Sequence, residues 1–73
     1  MNEQPRYSMI IEWSDEDHVY IVSLPEWGPY AKTHGETYAV AVRNGQEALQ
    51  LLVDSALAEH ETLPTPRMFA DAS

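Results

Sequence analysis

Acidic side chains are the first residues in this 73-residue chain that could do chemistry. Glu12, Asp15, Glu16 and Asp17 crowd into a single short stretch, and Glu47 stands far downstream. Carboxylates converging on one point can hold Mg²⁺ by oxygen ligands and cleave phosphodiesters. The first four, however, fall in or beside "SDED", whose Ser and Asp residues favour a turn by bonding local backbone. They read as a solvated hairpin turn. Glu12 and Glu47 could meet only if strand and helix brought them together.

The remaining chemistry is sparse. His18, His34 and His60 are far apart, without metal-ligand spacing, and there is no cysteine to add a thiolate or a disulfide. Ser8, Ser14, Ser23 and Ser55 lack a nucleophile-elbow context. Three isolated glycines form no phosphate loop. No catalytic, cofactor or metal residues are assigned, and the chain is not read as an enzyme.

Charge and aromatics point to binding. Four basic residues face twelve acidic ones, a net charge of −8. Such a field repels phosphate backbones and suits a basic protein partner. Direct nucleic-acid binding is not expected. Seven aromatics are many for a small core, and Tyr and Trp are enriched at binding hot spots. Trp13, Trp27 and Tyr30, with Glu26 and the turn acids Asp15, Glu16 and Asp17, are the candidate partner-binding residues. No basic region followed by an apolar run opens the chain, and no run approaches the roughly 20 apolar residues that span a bilayer. The expectation is a cytoplasmic protein that does not enter a membrane.

The elements that must position these residues follow from periodicity. "RYSMIIEW" and "HVYIVSL" flank the acidic turn and predict a hairpin from about Arg6 to Leu24. Tyr7, Met9, Ile11 and Trp13 share one face; Ser8, Ile10 and Glu12 share the other. In "PEWGPY", Pro25 and Pro29 remove ladder donors and Gly28 admits a turn. "AKTH" predicts a short third strand, broken at Gly35. Thr37 is a good helix N-cap, although Val40 leaves the capping box half made.

From Tyr38 to about His60, Ala41, Gly45, Ala48, Leu52 and Ala56 recur at helical spacing, with Arg43, Gln46, Glu47, Gln50 and Asp54 opposite. Gly45 in that stripe implies close approach of helix to sheet. Leu63 before Pro64 is pushed to an extended conformation, so a short fourth strand or an extended tail follows. Residues 1–5 are expected to fray, 6–66 to form one domain, and 67–73 to be a flexible tail. One helix covers one sheet face. The other, with Ile10, Val19 and Ile21, is left partly apolar, which predicts a homo-oligomer, dimer or tetramer.

In order, these features resemble the HicB-like antitoxins of toxin–antitoxin systems. The resemblance rests on Pro25, Gly35, Thr37, Ala41, Asn44, Glu47, Ala48, Pro64 and Pro66, and covers roughly residues 6 to 66. It is to the short form, without a C-terminal DNA-binding segment. It implies an α+β, truncated RNase H-like fold, β-β-β-α with a short β after the helix. It also implies a non-catalytic domain that masks a small basic, mRNA-cleaving toxin. An orphan oligomeric scaffold or regulator without a toxin is the alternative.

Overall fold

A computed structural model describes residues 6–69. The elements are β1 (Ile10–Ser14), β2 (Val19–Ser23), a single 3-10 turn (Pro25–Trp27), β3 (Lys32–Gly35) and α1 (Tyr38–Ala58). The strands form an antiparallel meander in the order β1-β2-β3, with the helix on one side, so the fold is α+β. The expected frayed start, residues 1–5, lies outside the described residues. So do residues 70–73 of the expected tail.

The hairpin register pairs Ile11 with Val22, Glu12 with Ile21 and Trp13 with Tyr20. Side chains alternate across a strand, so Val22, which is fully buried, marks the helix side. Ile11, Trp13 and Tyr20 share that side. Ile10, Glu12, Val19 and Ile21 point to the open side. There they are joined by Lys32 and His34 of β3, which pair with Ser23 and Ile21. The open face is therefore aliphatic in patches and broken by charge, which is less apolar than its three aliphatics alone imply.

The turn between β1 and β2 is closed locally. His18 N–H donates to the Ser14 carbonyl at 2.8 Å. The Asp17 N–H donates to the Ser14 hydroxyl, which itself donates to the Asp17 carboxylate, both at 3.3 Å. His18 adopts φ 56°, a left-handed conformation that costs most side chains about 1–2 kcal/mol.

The strand begins at Ile10, later than the Arg6 start implied by the apolar pattern. The reason is that the Ser8 N–H is taken by the Glu26 carboxylate at 3.1 Å and has no strand to pair with. β3 runs one residue further than expected. Gly35 is its last residue, pairs with Tyr20, and has no positive φ. Its lack of a side chain matters for a different reason: an added Cβ would lie 2.4 Å from Ala41 N and 2.7 Å from Ala41 Cα. Gly35 lets the helix backbone rest on the strand end. Gly28, at φ 102°, is the glycine that supplies turn freedom.

Thr37 caps α1, its hydroxyl accepting from Val40 N–H at 3.1 Å. The Asn44 amide donates to the His34 carbonyl at 2.8 Å and ties the second helical turn to β3. Ala41, Gly45, Leu49 and Ala56 are buried along the stripe. At Gly45 an added Cβ would lie 2.6 Å from Met9 Sδ and 3.0 Å from Val22 Cγ1. The helix exit is a Schellman cap. Glu61 N–H donates to the Ala56 carbonyl and His60 N–H to the Leu57 carbonyl, with His60 at φ 58°.

Beyond the cap, residues 61–69 run without strand pairing. Among the described residues the short strand after the helix is absent, and the extended tail is what forms. The main chain turns its hydrogen bonds elsewhere: the Pro64 carbonyl accepts from the Tyr7 hydroxyl at 2.7 Å, and the Arg67 N–H donates to Glu26 at 2.8 Å. The start of the expected flexible tail is thus tethered at Arg67, while Met68 and Phe69 are exposed.

Candidate functional site

The residues singled out for binding fall into three places. The first is the hairpin turn. Trp13 is half exposed and packs edge-to-face on Tyr20, ring centroids 5.1 Å apart. Tyr20 packs in the same way on Tyr38 at 5.6 Å, and His18 approaches Trp13 at 6.3 Å. The Trp13 indole N–H donates to Asp15 Oδ1 at 3.4 Å. Asp15, Glu16 and Asp17 are all exposed. This is a surface of aromatic rings with the Asp15 carboxylate at its edge, while Asp17 lies with Val19, Ile21 and His34.

The second place is the loop after β2, and here the structure assigns Glu26 and Trp27 a different task. Glu26 is half buried and accepts from three donors: the N–H of Ser8, shared between both carboxylate oxygens, the Ser8 hydroxyl and the N–H of Arg67. Burial pushes its carboxyl up. The main-chain donors of Arg67, Ser8 and Glu26 itself, with the Ser8 hydroxyl, outweigh that and hold it below the ordinary value. Trp27 packs edge-on against Tyr7 at 5.3 Å and borders the core of Val22, Leu24, Ala41 and Leu49. Its indole N–H is buried without a hydrogen-bond partner among the described residues. Glu26 thus ties Ser8 to Arg67, and Trp27 packs Tyr7 towards the core. These partners, Tyr7, Ser8 and Arg67, are remote in the chain and were not legible in the sequence.

The third place holds Tyr30, 94% exposed. It stands at a groove of about 290 Å³ with Leu24, Ala31, Lys32, Ala48, Leu51 and Leu52. Leu51 is 69% exposed. Sequence reading missed Leu51 because it lies just off the helical stripe. It also missed Tyr20 as the partner of Trp13 and Tyr38 as the partner of Tyr20. Their signal was available in the alternation of β2 and in the aromatic directly after Thr37.

Pro25 opens the 3-10 turn, and Pro64 receives Tyr7. Among the described residues no three His, Asp or Glu side chains come close enough to hold a metal ion. No helix there is long and apolar enough to cross a membrane.

No family model, curated protein or solved structure matches the chain.

Proposed function

We propose that this chain is a non-catalytic protein-binding module. In this reading it is an antitoxin of the HicB-like kind, built on a truncated RNase H-like arrangement, that masks a small basic mRNA-cleaving toxin in the cytoplasm. The observation that carries the reading is where the acidic groups lie. Asp15 accepts from the indole of the exposed Trp13, Glu16 is exposed in the same turn, and Asp17 lies with Val19, Ile21 and His34. Glu12 sits on the open sheet face, opposite Ile21, while exposed Glu47 rides on the helix across the sheet. Carboxylates spread over a surface suit a cationic protein; hydrolysis of phosphodiesters requires them gathered around a metal. The test is co-expression with the product of any small basic neighbouring gene. Co-purification and relief of growth arrest are expected, and the absence of both sinks the reading.

A second reading has its own observation. Tyr30 and Leu51, both exposed at the groove, form an apolar surface that another copy of the chain could cover. That arrangement describes an oligomeric scaffold without a toxin. It is also compatible with an antitoxin that works as a dimer or tetramer.

A further inference from the structure

The aromatic row at the hairpin turn is fixed on one side and bare on the other. Tyr20 packs against the buried core and holds Trp13 and Tyr38 by edge contacts. Tyr38 is the first residue of α1, and Trp13 stands on β1, across β2 from the strand that receives the helix. The helix therefore leaves the row open, with Trp13 49% and Tyr38 58% exposed. An apolar surface of this kind lacks a partner, and the surrounding charge selects one. Asp15 accepts from the Trp13 indole, Glu36 is exposed two residues before Tyr38, and the chain carries −8.

Ring faces are negative by their quadrupole and attract cations, tryptophan most strongly. A guanidinium fits better than an ammonium. It is planar and weakly hydrated, and it can stack on a ring while forking to a carboxylate. A second copy of this acidic chain would set like charges opposite one another, and a phosphate backbone is repelled.

We propose that the Trp13–Tyr20–Tyr38 row, with the Asp15 carboxylate at its edge, is the docking face for an exposed arginine of a basic protein partner. This deepens the binding-module reading and rests on it for the identity of the partner.

The probe is an acetylated hexa-arginine peptide, titrated at low salt into ¹⁵N-labelled protein and compared with hexa-lysine. Shifts concentrated at Trp13, Asp15 to His18, Tyr20 and Glu36 to Tyr38 are expected, with tighter binding of the arginine peptide. Trp13→Ala should weaken it about fivefold, and Tyr30→Ala should leave it unchanged. Tyr38→Ala serves as the second variant if Trp13→Ala does not fold. Shifts centred on the Leu51 groove, equal affinity for the two peptides, or indifference to both row variants overturn the proposal. Arginine binding at the row in a protein that protects no toxin would remove the antitoxin reading and leave the docking face standing.

Discussion

Glu26 illustrates how one side chain can matter more for where it reaches than for what it is. Its carboxylate gathers donors from Ser8 and Arg67, residues 18 and 41 positions away. Hydrogen bonds to a charged group are worth about 1.5–3 kcal/mol when sheltered, and less at this half-exposed position, so Glu26→Ala should cost about 1 kcal/mol in urea unfolding at neutral pH. The pH dependence has a definite sign. The folded carboxyl titrates below its ordinary value of 4.5, so the stabilisation is complete above that value. It is lost as pH falls through the lower folded value. Unfolding curves of the wild type and Glu26→Gln between pH 7 and pH 3 should converge on the acid side. Parallel curves would remove Glu26 from the clamp. Trp27 and Tyr30, three residues apart, make the complementary pair. Trp27→Ala opens a gap beside Tyr7 and the core and should cost about 2–3 kcal/mol. Tyr30→Ala, at an almost fully exposed position, should change stability by less than about 0.5 kcal/mol. Equal losses would mean the loop packs differently.

At the scale of elements, α1 and the sheet meet through missing side chains. In an isolated helix, Gly45→Ala would gain about 1 kcal/mol of helix propensity. Here the new methyl meets Met9 Sδ and the γ-methyl of fully buried Val22. Met9 can swing aside, but Val22 has one comfortable rotamer and must move with its strand. Overpacking of this kind costs about 1–3 kcal/mol, so Gly45→Ala should lose stability overall, by about 1 kcal/mol. Gly35→Ala should lose more, about 3 kcal/mol, because its methyl meets helix backbone at Ala41, which cannot rotate away. Thermal melts of the two variants test the order. If Gly45→Ala raises the midpoint, the helix has room to lift from the sheet. Thr37 and Asn44 place the same helix by polar means, the first through its cap and the second through the His34 carbonyl.

The whole molecule is a three-strand meander under a helix longer than its sheet. Twenty-one residues of α1 reach about 32 Å, whereas the five residues of β2 reach about 17 Å. Leu57, in the last turn of α1, is exposed, as is Leu51 at the groove beside β3. Light scattering at micromolar concentration should find a dimer or tetramer that Leu51→Asp dissociates and added salt strengthens, since each copy carries −8. A wild-type monomer would remove the oligomer. The helix, its cap at Thr37, the hairpin about the acidic turn and the antiparallel α+β character were all legible in the sequence. Periodicity, caps and turn residues act over a few positions, and a few positions are what a linear reading resolves. Strand ends and side-chain tasks were not legible. Whether Ser8 joins a ladder, whether Glu26 and Trp27 face a partner or the core, and whether the exit beyond Pro64 pairs as a strand all depend on contacts 18 to 57 residues apart. The sequence alone thus determined which elements form and the sign of the surface they carry. Only the tertiary structure decided which aromatics and carboxylates remain on that surface, because the same side chain stabilises whichever neighbour the fold brings to it.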